Sequence, residues 1–176
     1  MTARDLLGSI GEILGEGTIE ITQAMVNEFA HATDDEQWIH VDQERARTGP
    51  FGATIAHGYL TLSLVPAMLS QAFTVENAAA ILNYGVDRVR FPAPVPVGST
   101  IHADVRLTEA SIVDGGVQAN LLVTMTGSSS SKPYCVANVV VRYLDECSTL
   151  NVSTVPSSEC APRHAGAGEP GPRDSR

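Results

Sequence analysis

Two stretches of this chain bring together side chains that can do chemistry. The first is Thr33-Asp34-Asp35-Glu36-Gln37-Trp38-Ile39-His40-Val41-Asp42, in which Asp35 and His40 share one polar loop. The second is His57-Gly58, directly ahead of the uncharged run from Tyr59 to Phe73. A carboxylate and an imidazole held together can fix one water between them. His40 can carry a proton near neutral pH, and Asp35 can orient the water or act as its partner base. At the start of a buried helix the first N–H groups lack carbonyl partners, and the helix dipole is positive there. The N–H of Gly58 can therefore stabilise an enolate oxygen. These groups suffice to add water across a double bond conjugated to a carbonyl, or to remove it. From spacing alone a plainer alternative stands beside this one: a solvated loop in which His40 caps a turn, followed by a His57 that is an ordinary first-turn residue.

The surrounding elements must position these groups. Leu60, Leu62, Leu64, Val65, Ala67, Met68, Leu69, Ala72 and Phe73 cover nearly every direction of a 3.6-residue period. The pattern predicts a long central helix buried on nearly all sides, kinked at Pro66. At roughly 24 Å it is too short to cross a bilayer. Residues 1–17 are weakly patterned and are expected to cover an edge. Thr18 to Ile21 predicts a short strand. Thr22 is the expected N-cap of a helix to about Ala32, with Met25, Val26, Phe29 and Ala30 facing inward. Asp42 is placed to cap a short helix through Arg47. After the central helix the period changes to two. Ala80 to Phe91 predicts a strand with a bulge near Arg88-Val89-Arg90. Pro92, Pro94 and Pro96 exclude regular pairing. Thr100 to Ser111 alternates, Asp114-Gly115-Gly116 signals a hairpin, Val117 to Met125 returns, and Tyr134 to Tyr143 is the final strand. One apolar helix with at least four mostly antiparallel strands is an α+β arrangement: a sheet wrapped around a central helix.

The 176 residues provide one domain, and 43% hydrophobic residues are enough for its core. A net charge of −9 with one lysine, Lys132, argues against nucleic acid and anionic membranes as partners. It leaves room for an anionic small ligand held by local arginines, with Arg88 and Arg90 as the strand candidates. Charged residues throughout the first 20 positions exclude a secretory apolar region. Three cysteines without metal-like spacing read as reduced thiols in a cytoplasmic protein, with Cys135 in the core and Cys147 and Cys160 exposed. From Cys147 onward Ser, Thr, Pro and Gly dominate. The domain is therefore assigned to residues 1–146 and a disordered tail to 147–176.

The reactive loop resembles that of the MaoC-like (R)-specific enoyl-CoA hydratase/dehydratase family. Its members carry a Ser/Thr-Gly-Asp-x-Asn-Pro-x-His motif on an overhanging loop, then a His-Gly helix start. The matching residues are Thr33, Asp35, Gln37, Ile39 and His40, followed by Ile55-Ala56-His57-Gly58. Asn83 to Pro92 and Pro94-Val95-Pro96-Val97-Gly98 also resemble the family, and the likeness spans roughly residues 10–145. It implies a single hot-dog domain, with Asp35 and His40 as the catalytic pair and the Gly58 backbone as oxyanion donor. Gln37 falls within the matched motif, and Ser63 lies near where some members use a hydroxyl to support the water site. Read from the residues themselves, Trp38 (lining an acyl pocket or anchoring the loop), His57, and Arg88 and Arg90 (contacting phosphate or pairing with local acids) are further candidate substrate contacts. The likeness further implies reversible water addition to a trans-2-enoyl thioester of coenzyme A or a carrier protein, with no metal or redox cofactor, and a homodimer with sheets joined edge to edge. Asp34 stands where the family often has Gly, Gln37 where it has Asn, and Trp38 where it has Pro. A non-glycine residue at 34 is expected to alter the loop backbone. Gln37-Trp38-Ile39-His40 looks like a subgroup of the same family. The competing readings are a hot-dog acyl-CoA thioesterase, which would want an acidic residue on the central helix where Tyr59–Phe73 has none, and a non-catalytic acyl-thioester binding module.

Overall fold

The computed structural model describes residues 1–145. The assigned tail, with Cys147 and Cys160, lies outside them. The period-two segments are the strands of one antiparallel sheet: β1 (Ile13–Glu20), β2 (Ala80–Arg90), β3 (Thr100–Val113), β4 (Gly116–Thr126) and β5 (Cys135–Leu144). Their order across the sheet is β1-β3-β4-β5-β2. Alternation sends one side chain in two to the inner face. Ile101, Ala103, Val105 and Leu107 of β3 meet there with Val117 to Met125 of β4 and Cys135 to Tyr143 of β5. The Asp114-Gly115-Gly116 hairpin joins β3 to β4 as its residues require, with Gly115 at φ 78.

The helical elements are α1 (Gln23–Thr33), α2 (Trp38–Val41), α3 (Gln43–Arg47), α4 (Gly58–Ser63) and α5 (Val65–Ala72). The central helix is thus two segments rather than one. Pro66 offers no N–H to the carbonyl of Leu62 and its ring crowds that turn, and the chain steps at Leu64, where ψ is −9. The expectation of burial on nearly all sides is also corrected. Leu60, Val65, Met68 and Leu69 face the sheet, whereas Tyr59 is 71% exposed and Ser63, Pro66 and Ala67 are exposed as well. A single sheet can cover only one side of a helix, so Leu62, Leu64, Ala72 and Phe73 are only partly buried. The result is nevertheless the hot-dog arrangement: an antiparallel sheet curled against a central helical layer, α+β and in one domain.

β1 starts five residues earlier than the sequence predicts. Gly15 and Gly17 weaken the strand signal, but they are what lets α5 lie on it. A Cβ on Gly17 would stand 2.7 Å from the Met68 carbonyl oxygen, and one on Gly15 would stand 2.1 Å from that of Ala72. The N-terminal residues cover the edge of β3 from Gly11 onward, Gly11 N–H donating to the Leu107 carbonyl and the Glu12 carbonyl accepting from the Leu107 N–H before β1 continues the pairing. A 3₁₀ turn, Ala3–Gly8, packs on β3 and β4 with Leu6 fully buried. The strand bulge appears as expected, between Val86 and Arg88, with a second between Asn83 and Gly85.

Gly17→Ala should lower stability by about 1–3 kcal/mol, the usual cost of overpacking a closed contact. An unchanged thermal unfolding midpoint would show that the α5–β1 contact is looser than described.

Candidate active site

The site is assembled by the chain between α1 and α4. Thr22 caps α1, its hydroxyl accepting from the Met25 N–H. The helix ends on Asp34, which holds the left-handed conformation at φ 59, ψ 22. This is the backbone a glycine would adopt there, and Asp is among the few residues that tolerate it. Asp34 thus takes a left-handed backbone open to glycine, at a position where the family often has that residue. Asp35 to Gln37 follow, and the single turn of α2 carries His40 inward to 6% exposure. The Asp42 carboxylate then accepts from the Arg45 N–H and starts α3.

His40 is fixed by its ring. Nδ1 lies 2.7 Å from the Ile55 carbonyl oxygen. A carbonyl only accepts, so Nδ1 carries the hydrogen and, in the neutral ring, Nε2 keeps a lone pair. The His57 ring stacks on it, with centroids 3.7 Å apart and planes 27° from parallel. The same logic assigns the His57 tautomer: Nε2 donates to the Asp35 carbonyl oxygen at 2.9 Å. His57 Nδ1 is buried without a hydrogen-bond partner. Gln37 Nε2 donates to the Asp35 carboxylate at 3.0 Å and holds it in place. Asp35, His40 and His57 each bring one polar atom within 4.8 Å of the others. Two groups bridged by one water through hydrogen bonds of about 2.8 Å lie within such a reach.

Burial pushes the His40 pKa below the ordinary 6.5 and His57 pushes it the same way, while the bond to Ile55 and the charge of Asp35 oppose this. His40 thus rests neutral, ready to accept a proton.

A cleft of about 320 Å³ opens beside His40, lined also by Phe51, Gly58, Thr61, Phe91 and Tyr134 among others. Gly58 is the first residue of α4, so no carbonyl of the helix accepts its N–H. Its missing side chain leaves room for the Phe91 ring, which a Cβ would approach to 3.0 Å. Asp35, Gln37, His40, His57 and Gly58 therefore converge. The other sequence candidates do not join them. Trp38 lies under the Arg45 guanidinium, 4.3 Å from the ring centroid, and against Gly49, so it anchors the loop. Ser63 is exposed and its hydroxyl donates to the Tyr59 carbonyl. Arg88 and Arg90 pair in register with Asn138 and Val136, on the sheet face opposite the core. Sequence reasoning missed Thr61, buried in the cleft with its hydroxyl on the His57 carbonyl. Its position four residues after His57, facing the same way along the helix, is the signal that could have found it.

A profile of the MaoC like domain matches residues 9–127. The 3-hydroxyacyl-thioester dehydratase Z of Mycobacterium tuberculosis (strain ATCC 25618 / H37Rv) is 49% identical over 142 residues, covering 80% of this chain and 94% of that protein. The (R)-specific enoyl-CoA hydratase of Rhodospirillum rubrum is 30% identical over 113 residues, covering 61% and 76%. Among solved structures, the (R)-hydratase from A. caviae superposes with a TM-score of 0.61 at 24% identity, over 75% of this chain and 94% of that one. The chain belongs to the MaoC-like dehydratase family. It has the hot-dog fold and is a hydro-lyase.

Because the folded pKa of His40 is depressed, its contribution to stability is full above 6.5 and is lost as pH falls from there through the folded value. An NMR titration should place the His40 imidazole below 6.5, and wild type should lose stability relative to His40→Gln over that window. A midpoint at or above 6.5 would contradict the burial of the ring.

Proposed function

We propose that this protein reversibly adds water to a trans-2-enoyl thioester, giving the (R)-3-hydroxyacyl thioester, with Asp35 and His40 as the catalytic pair. The observation that carries the reading is that polar atoms of Asp35, His40 and His57 lie within 4.8 Å of one another, with the His40 ring held by Ile55 and Gly58 lining the same cleft. The thioester carbonyl faces the Gly58 N–H. Asp35 orients the water and His40 Nε2 takes its proton as oxygen bonds to C3. The C2=C3 electron pair moves toward the carbonyl, whose oxygen gains charge at Gly58. His40 then returns a proton to C2, and the enolate collapses to the saturated thioester. Dehydration is the same path reversed. No atom changes hands beyond water, and no net electron transfer occurs, so we propose that neither metal nor redox cofactor takes part.

The substrate we propose is an acyl thioester of coenzyme A or a carrier protein. We further propose a cytoplasmic homodimer. The free, buried thiol of Cys135 suits a reducing compartment, and no described helix is long and apolar enough to cross a membrane. The two sheet edges differ in a way that favours pairing at one of them. At β1 the outward N–H of Thr18 is taken by Gln71 of α5 at 2.9 Å. At β2 the edge is open and carries Ile81 and Tyr84, each 56% exposed, a template for a second strand.

Asp35→Asn and His40→Gln should each depress hydration of crotonyl-CoA, followed as loss of enoyl-thioester absorbance, by at least ~10²-fold. Near-normal turnover in both would sink the assignment, and free-thiol release from a saturated acyl-CoA would favour a thioesterase instead. Sedimentation should give a dimer that Tyr84→Lys weakens. A monomeric wild type would remove the edge pairing.

A further inference from the structure

What aims His40 lies outside the loop motif. Gln23, the first residue of α1, donates from Nε2 to the main-chain carbonyl of His40 at 2.8 Å and to Asn27 Oδ1 at 2.8 Å. Its Oε1 accepts from the Thr54 hydroxyl at 2.6 Å. Thr54 is 4% exposed, and its own carbonyl accepts from the Val97 N–H at 2.9 Å. The next residue, Ile55, receives the His40 Nδ1–H on its carbonyl, and its N–H donates to the Ile39 carbonyl at 3.0 Å. The bonds close a ring. Gln23 holds the His40 backbone, the His40 ring holds Ile55, Ile55 follows Thr54, and Thr54 holds Gln23.

We infer that Gln23 and Thr54 are positioning residues for His40, closing a ring of hydrogen bonds that sets where the imidazole presents Nε2. The inference rests on His40 as the proton carrier proposed above. The amide is suited to this place because it donates at one end and accepts at the other, so it tells the two sides of the ring apart. Thr54 is buried, so water does not readily replace a lost partner, and an unmatched polar group there is costly. The ring also joins the three separate pieces that build the site: the first turn of α1, α2, and the 54–57 segment leading into α4. If it opens, the His40 backbone and the carbonyl that orients its ring can shift independently. Displacing a catalytic group by about 1 Å can cost on the order of 10²-fold in rate.

The test uses the full chain with Gln23→Leu, Thr54→Val, Thr54→Ser and the double variant Gln23→Leu/Thr54→Val. Crotonyl-CoA hydration gives kcat and KM, and ¹⁵N NMR of the imidazoles gives the His40 tautomer. We expect Gln23→Leu and Thr54→Val to lower kcat on the order of 10- to 100-fold with KM little changed, and Thr54→Ser to restore wild-type turnover. The double variant should lose little more than the worse single one, because both open the same ring. His40 should show the Nδ1–H tautomer in wild type and Thr54→Ser, and a mixture in Thr54→Val. Wild-type kcat in Thr54→Val would overturn the inference. So would a loss that Thr54→Ser shares, or one without a change in the His40 tautomer. Should Gln23→Leu fail to fold, Thr54→Val decides, since it removes one hydroxyl and keeps the volume. If wild type hydrates no enoyl thioester, the functional reading falls, and the imidazole spectra alone decide the positioning role.

Discussion

The site depends on one hydrogen bond, from His40 Nδ1 to the Ile55 carbonyl oxygen at 2.7 Å. It does three things at once. It selects the tautomer, leaving the lone pair on Nε2. It turns the ring. It also ties the short α2 turn to the segment that leads into α4, so that imidazole and helix start are held as one unit. Burial supplies the rest. A solvated histidine would share its proton with water, whereas this one is kept neutral and cannot rotate freely against the His57 ring stacked beneath it.

The fold exists to hold that unit in place. The sheet buries one side of the α4–α5 layer, and the step at Leu64 lets the two segments follow its curvature. Gly15 and Gly17 bring β1 within reach of α5. Gln71 then closes that edge, while β2 keeps its edge open. The cleft beside His40 lies between α4 and the Phe91–Val95 stretch that leaves β2. Pro92, Pro94 and Pro96 keep this stretch out of the sheet, and Ile55 bridges to it at Pro96. The residues that lend the site its chemistry are few. Those that keep water out and the loop still are spread over the whole domain.

Much of this was legible in the residues. Period-two runs gave β3, β4 and β5, because an alternating strand has only one way to face a core. The caps Thr22 and Asp42 fixed where α1 and α3 begin. Asp35, His40 and Gly58 could be picked out because their types and order point to a single chemistry. Other features could not be read. Gly15 and Gly17 look like strand breakers until the helix they admit is known. Pro66 announced a kink but not a full step. Trp38 and Arg88 have the right composition for binding, yet the direction a side chain faces depends on bulges and neighbours that a linear pattern does not encode. The Gln23–Thr54 bond joins residues 31 apart, and no local periodicity signals such a pair. At Asp34 the left-handed backbone, φ 59, is one that Asp accepts at modest cost.

The most direct test of one water shared by Asp35 and His40 is the geometry of addition. Crotonyl-CoA is hydrated in D₂O, and the product is read by proton NMR for the placement of deuterium at C2 relative to the hydroxyl at C3. If the same pair delivers both parts of the water, a single deuterium enters C2 on the face that receives the hydroxyl, in one stereoisomer. Deuterium on the opposite face, or scrambled over both, would mean that a group other than this pair protonates C2.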